Sequence, residues 1–189
     1  MKILKNDRRS KLTKRMLKDA LLELLKNQPI SKVTVKQLCE KADINRATFY
    51  NHFYDTRNVL EYIEEEYCEN LKIEVINMLG TNNIPEFILN ILTEMKSDKH
   101  LNQIITCENT KPRFLRKIIN MAHDLIISHW LKIFKVKTKE KLEYAYSFMT
   151  TGAFSVINAW LNNNLKESPQ EIAEILQRIT AGIKHYLTI

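Results

Sequence analysis

Val33-Thr34-Val35-Lys36-Gln37-Leu38-Cys39-Glu40-Lys41-Ala42-Asp43-Ile44-Asn45-Arg46-Ala47-Thr48-Phe49-Tyr50-Asn51-His52-Phe53 is the stretch that decides the fold. Thr34 has the chemistry of a helix N-cap, and Gln37 follows three residues later. That is the spacing of a capping box, in which each side chain satisfies a backbone N–H of the first turn. Val33 and Leu38 flank the cap as a hydrophobic staple, so the spacing predicts a helix to about Ala42. Asp43 and Ile44 make the turn, since Asp tolerates left-handed backbone better than most residues. Asn45 caps a second helix, stapled by Ile44 and Phe49, and Asp55 caps a third, stapled by Tyr54 and Val59. Two short helices joined by a tight turn, the second too short and too polar to serve only as core, form the pattern of a helix-turn-helix.

On the second of these helices Ala47 and either Phe49 or Tyr50 can face inward. Asn45, Arg46, Thr48, Asn51 and His52 are left outside. Arg and Asn can read base edges in a major groove. Thr, Tyr and His more often bond phosphate oxygens, which sets position rather than sequence preference. The charge distribution points the same way. Residues 1–57 hold 14 Lys and Arg against 6 Asp and Glu, a net +8, while the remaining 132 hold 15 against 16, a net −1. A basic end on a neutral body is the footprint of a nucleic-acid-facing end. Lys2, Lys5, Arg8, Arg9, Lys11, Lys14 and Arg15 are placed to meet phosphates from an N-terminal arm and first helix, and such contacts make affinity fall steeply with salt.

The run from Val33 to Phe53, with Leu17, Ala20, Leu21, Leu24 and Leu25 on one face of the preceding helix, resembles the DNA-binding domain of the tetracycline-repressor (TetR/AcrR) family of bacterial regulators. The match covers about residues 9–65. The resemblance implies that Thr34, Lys36, residues 45–52 and Arg57 contact operator DNA, with Tyr50 and His52 as the phosphate-binding pair. Two positions depart from the family pattern. Asp43 stands where the turn usually has Gly, and Thr56 stands where a Lys is common, with Arg57 beside it.

Three Gly and four Pro are few for a protein built on hairpins, and no alternating pattern of strand length is present, so an all-α protein is expected. A three-helix DNA-binding domain over 1–54, motif at about 33–52, should join a helical regulatory and dimerisation domain over 55–189. No apolar run approaches 18 residues and no apolar core follows the charged N-terminus, so neither a membrane span nor a secretion signal is expected. Cys39, Cys68 and Cys107 fit neither a zinc site nor a disulfide framework, and a reducing cytoplasm is the simplest setting.

Asp55 to Leu79 reads as one long helix ended by Gly80, roughly 36 Å in length, able to join head and body as a rod. The run Glu64-Glu65-Glu66 with Glu69 is most simply a solvated face. Further helices are expected at about 84–96, 99–107, 112–134, 138–165 and 168–187, with Pro112 and Pro169 near helix starts where a missing N–H costs nothing. Residues 148–161 are apolar on more than one face, and Gly152 inside that helix suggests close approach of another helix. The final helix carries a stripe including Ile175, Ile179 and Ile183. These two helices are candidates for a symmetric interface between two copies, with Gly152, Val156, Trp160, Ile175, Ile179 and Ile183 in it.

Family members hold a small-molecule pocket in the body, and Tyr67, Met95, Cys107, Phe114, His123, His129, Trp130, Phe148 and Trp160 are candidates to line an apolar cavity with a few polar points. His123 and His129 are six apart and point to different sides of a helix, which argues against a shared metal. No Gly-rich phosphate loop, Gly-x-Ser-x-Gly elbow or His-Glu-x-x-His is present, so neither an enzyme nor a cofactor is expected. The chain therefore reads as a cytoplasmic, homodimeric regulator of a palindromic operator in double-stranded DNA, a repressor released by an unidentified effector. The alternative is a related coactivator or protein-interaction module that has lost operator binding.

Overall fold

The local signals of the sequence produce helices throughout. The structure, a computed structural model, describes residues 2–134 and 138–188. Among these residues there are nine α-helices and no strand: α1 (Lys2–Leu25), α2 (Val35–Ala42), α3 (Arg46–Tyr50), α4 (Thr56–Thr81), α5 (Ile84–Ser97), α6 (Lys99–Thr106), α7 (Lys111–Ile133), α8 (Lys139–Asn162) and α9 (Pro169–Thr188). The β-like run at Lys32–Val35 closes a one-turn 3-10 helix, Ile30–Lys32, and leads into α2.

Helix ends differ from expectation at two places. Gly80 does not end α4, which continues to Thr81 and stops where Asn82 turns left-handed at φ 55°. Glycine in a last turn weakens a helix without breaking it, and it is the left-handed residue that terminates it. The helix expected to reach 165 stops at Asn162, because Asn164 and Leu165 both take positive φ and Leu165 N–H returns to Trp160 O at 3.1 Å.

The chain divides into two compact units, Met1–Tyr67 with Gln103–Phe114, and Cys68–Asn102 with Leu115–Ile189. In the first, Leu17, Leu21 and Leu25 of α1, Leu38 of α2, Phe49 of α3, and Leu60 and Ile63 of α4 are almost completely buried. Leu22 is buried as well, while Leu24 is only half-buried. Residues 103–114 belong to this unit through specific bonds. Gln103 Nε2 donates to Glu23 Oε1 at 3.3 Å. Cys107 Sγ and Asn109 Nδ2 both donate to Leu25 O, at 3.2 and 2.9 Å, satisfying a carbonyl at the C-terminus of α1.

The acidic run of α4 is not a uniformly solvated face. Glu65, Glu66 and Glu69 are exposed, but Glu64 is fully buried. Arg113 explains this: its Nε donates to Glu64 Oε2 at 3.1 Å and its Nη2 to Glu61 Oε1 at 3.3 Å. A buried carboxylate is tolerable only with such a partner, and breaking a buried pair costs about 3–5 kcal/mol.

The second unit has its own core, formed by Val75, Ala122, Ile126, Ile127, Leu142, Ala145, Tyr146 and Leu187. Helices α5 and α8 both pack on α9. Lys96 of α5 donates to the carbonyls of Leu165 and Glu167, at 3.0 and 3.2 Å, and so secures the α8–α9 turn.

A polar bridge links α7 to α8 at the edge of this core, alongside the hydrogen bond from Tyr146 Oη to Ile119 O at 2.7 Å. His123 Nε2 lies 2.6 Å from Glu143 Oε2, and Nδ1 lies 2.8 Å from Asp124 Oδ1. Two carboxylates facing the two ring nitrogens are both satisfied only by the imidazolium, since a neutral ring has one N–H. The hydrogen bond to Glu143, then that to Asp124, pushes the His123 pKa up against a smaller effect of burial, and the same bond to His123 holds the Glu143 carboxyl below its ordinary value. Because the folded-state His pKa is raised, its contribution is complete below the unfolded value and is lost as pH rises through the folded one. The Glu143 contribution is present above the ordinary carboxylate value and is lost as pH falls through the lowered one. Denaturant midpoints at about pH 6 and about pH 8.5 should therefore fall with rising pH in the wild type and fall less in His123→Gln; equal falls would show that the bridge does not act.

Candidate nucleic-acid interface

The site is built by caps. Gln37 N–H donates to Thr34 Oγ1 at 3.2 Å and Thr34 N–H donates to Gln37 Oε1 at 2.9 Å, so the capping box at the start of α2 is complete. Val33 and Leu38 are both buried, as the staple requires. At the other end Asp43 is left-handed (φ 53°, ψ 45°), with Asp43 N–H bonded to Glu40 O at 3.4 Å and Ile44 N–H to Cys39 O at 3.0 Å. This is the Schellman pattern, with Asp where Gly is the easiest occupant. Asn45 then caps α3, its Oδ1 accepting Thr48 N–H at 2.8 Å.

Only one side chain of α3 is fully inside. Phe49 is completely buried, 6.2 Å from the ring of Phe53, which meets Tyr62 of α4 edge-on at 5.5 Å. The Lys14 ammonium of α1 lies over the other partner of this chain of rings, 4.6 Å from the Tyr62 centroid. Of the alternatives open for the inward positions, Ala47 is exposed and Tyr50 is 58% exposed, its ring meeting Phe49 edge-on at 5.3 Å. A helix of five residues has room for one anchor, and the largest apolar side chain takes it.

The outward face consists of Asn45, Arg46, Tyr50 and Asn51, all exposed, with Thr48 and His52 half-buried. Thr34, Lys36 and Arg57 are exposed too, Lys36 making a loose pair with Glu40 at 3.9 Å. Thr56 points the other way: it is buried, and its Oγ1 donates to Val33 O at 3.1 Å, tying the start of α4 to the start of α2. Arg8, Arg9, Lys11 and Arg15 of α1 are exposed, and the side chains of Lys2 and Lys5 lie outside the described residues. The third expected staple is absent. Asp55 does cap α4, accepting Asn58 N–H at 2.7 Å, but Tyr54 is 71% exposed and Val59 is buried without it.

The residues expected to line a ligand cavity are dispersed. Tyr67 and Phe114 are core of the first unit, meeting edge-on at 6.3 Å, and Cys107 is bonded to α1 there. Met95 is buried in the second unit, His123 forms the bridge described above, and Trp130 meets Tyr146 edge-on at 6.4 Å and Phe134 edge-on at 6.3 Å. Phe148 is 67% exposed and lines no interior. The second unit does contain a groove of about 360 Å³ between α4 and α5, lined by Asn70, Ile73, Glu74, Asn90, Ile91 and Glu94, none of which sequence reasoning singled out. Glu94 in this groove has its pKa pushed up by burial, then by Asp98 and Glu74.

The residues expected at a self-association face are divided between interior and surface. Trp160 is buried and its Nε1 donates to Glu167 O at 3.0 Å, so it is held inside this chain. Ile175 and Ile179 are 43% and 52% exposed, while Ile183, Val156 and Gly152 are half-buried. A Cβ built on Gly152 meets nothing within 4 Å, so no helix of this chain accounts for that glycine. Tyr144, 73% exposed, and Phe148 stand four residues apart on α8, followed by exposed Thr151, Ser155 and Ala159 at helical spacing.

Comparison with known proteins brings these features together. The model of the bacterial regulatory proteins, tetR family, matches residues 17–63, and that of a transcriptional regulator C-terminal region matches residues 82–182. An uncharacterized HTH-type transcriptional regulator, YxbF of Bacillus subtilis (strain 168), is 20% identical over 176 residues, which are 90% of this chain and 45% of that protein. The chain thus spans about half the length of that relative. Among solved structures, a TetR transcriptional regulator from Streptococcus agalactiae 2603V superposes with a TM-score of 0.64 at 21% identity, covering 94% of this chain and 98% of that one. The fatty acid degradation regulator FadR from Bacillus halodurans gives 0.68 at 11% identity, covering 90% and 95%.

Proposed function

The chain belongs to the tetR family of bacterial regulatory proteins, and from that premise we propose that it is a homodimeric repressor that places residues 45–52 of each subunit in a major groove of a palindromic operator. The observation that carries this is the outward face of α3: Asn45, Arg46, Tyr50 and Asn51 are exposed beside a fully buried Phe49. Arg46 and the free edge of Asn51 have the donor geometry for base edges. Tyr50 and His52 are suited to phosphates, together with Thr34, Lys36 and Arg57. Asn45 uses its side-chain oxygen for the cap, which leaves its amide N–H groups as its contribution to DNA.

Dimerisation rests on the exposed aromatic and aliphatic side chains of α8 and α9. Tyr144, Phe148, Ile175 and Ile179 are large apolar groups left in water in a single subunit. An isologous contact buries each of them twice and brings two recognition helices into the two-fold relation that an inverted repeat demands. A cytoplasmic setting suits a chain in which none of Cys39, Cys68 and Cys107 is held in a disulfide. Among the described residues, no helix is long and apolar enough to cross a membrane.

Release by an effector is the regulatory step we assign to the second unit. The groove between α4 and α5 has the volume of a small-molecule site, and its lining sets Ile73 and Ile91 beside the amides of Asn70 and Asn90 and the carboxyls of Glu74 and Glu94. Occupation alters DNA affinity only by as much as the effector prefers one conformation over the other.

Two measurements test this reading. With a duplex selected from random-sequence DNA by the purified protein, Tyr50→Ala should weaken binding to all sequences alike. Arg46→Ala or Asn51→Ala should flatten preference at the contacted base pair by about 1–3 kcal/mol. Identical effects of Arg46→Ala and Tyr50→Ala on specificity would contradict the division of roles, and recovery of a stable protein partner with no DNA binding would favour the interaction-module alternative. Light scattering at micromolar concentration should give a dimer, converted to monomer by Phe148→Glu or Ile179→Arg; a monomeric wild type removes the dimer.

A further inference from the structure

The connection from α3 to α4 carries one large side chain that the fold leaves over. Its neighbours all have structural tasks. Phe53 is buried between Phe49 and Tyr62. The Asp55 carboxylate caps α4, and the Thr56 hydroxyl is bonded to Val33 O. Tyr54 stands between them 71% exposed, with Val59, the residue a staple would offer it, already fully buried by others. Hydrophobic burial therefore does not account for an aromatic side chain here.

Placement and chemistry narrow what remains. Tyr54 is three residues from Asn51, so their Cα atoms are at most about 10 Å apart, and Arg57 three residues further on is also exposed. The edge that Tyr54 occupies thus flanks the reading face and shares its solvent with a fixed cation. A phenol presents a single O–H donor, and a phosphodiester presents only acceptor oxygens. A side chain beside the recognition helix rather than on it meets the strand that borders the groove, not the base edges within it.

We propose that Tyr54 is a positioning residue of the DNA interface, donating its phenolic O–H to a backbone phosphate beside the groove that α3 enters; this rests on the assignment of residues 45–52 as the reading face. Because the donor is neutral, it adds affinity and register without displacing a counterion. Its signature therefore differs from that of a Lys or Arg contact.

The test is fluorescence anisotropy with two labelled duplexes, one selected from random-sequence DNA by the intact wild-type chain and one scrambled at the same length, each titrated across salt concentrations. Tyr54→Phe should bind both duplexes roughly tenfold more weakly, as expected for one lost hydrogen bond to a charged acceptor, with an unchanged salt slope and an unchanged unfolding temperature. Arg57→Ala should instead lower the salt slope by about one. Wild-type affinity in Tyr54→Phe overturns the proposal while leaving the reading face intact, whether or not Tyr54→Ala is weaker, since a ring contact is not a donor contact. A loss confined to the selected duplex overturns it as well, because a phosphate contact carries no sequence preference. Failure of the wild-type chain to bind either duplex overturns the reading-face assignment itself.

Discussion

Phe49 is completely buried against Phe53, and this single ring gives α3 its orientation. A helix of five residues makes too few internal hydrogen bonds to persist alone, because nucleation fixes several residues for each bond gained. Here the Asn45 cap holds the first turn and the Phe49 ring holds the roll angle about the helix axis. With the roll angle set, Arg46, Tyr50 and Asn51 have no option but solvent. The Phe49–Phe53–Tyr62 series then passes that orientation to α4 and, through the Lys14 ammonium over Tyr62, to α1. Replacing Phe49 by Ala would remove about 3–5 kcal/mol of packing and, with it, the outward presentation of Arg46, Tyr50 and Asn51.

The rest of the first unit supports this constraint from outside the motif. Thr56 Oγ1 on Val33 O joins the start of α4 to the start of α2, so the two helices that bracket α3 share a hydrogen bond as well as a core. The segment 103–114 closes the unit from the other end of the sequence. It contributes Cys107 and Asn109 to the last carbonyl of α1, that of Leu25, Phe114 to the ring of Tyr67, and Arg113 to Glu61 and Glu64. The basic surface of α1 and the polar face of α3 are therefore held by a scaffold longer than the helix-turn-helix itself. Long-range electrostatic attraction can bring such a head to DNA, but discrimination between sequences needs fixed donors.

What the sequence made legible is what local chemistry decides. The capping box at Thr34 and Gln37, the Asp43 turn and the Asn45 and Asp55 caps all depend on residues within five positions of one another, and all form. What it concealed depends on distant partners. Glu64 reads as one charge in an acidic run, and it is buried because Arg113 arrives from 49 residues away. Tyr54 has staple spacing, yet Val59 is already enclosed by other side chains. Trp160 and Phe148 lie in the same apolar stretch of α8 and exchange the places expected of them, one facing in and one facing out. Periodicity in a helix with two apolar faces does not say which face meets its own subunit. The groove at Asn70, Glu74 and Glu94 joins two helices whose facing positions no single-helix pattern reveals.

Amide hydrogen–deuterium exchange of the intact chain, with and without a duplex selected by it, addresses the reading face most directly. The account predicts that DNA slows exchange over residues 45–57 beyond the slowing already imposed by the caps of α3 and α4. Unchanged exchange over 45–57, with protection confined to residues 139–188, would contradict it.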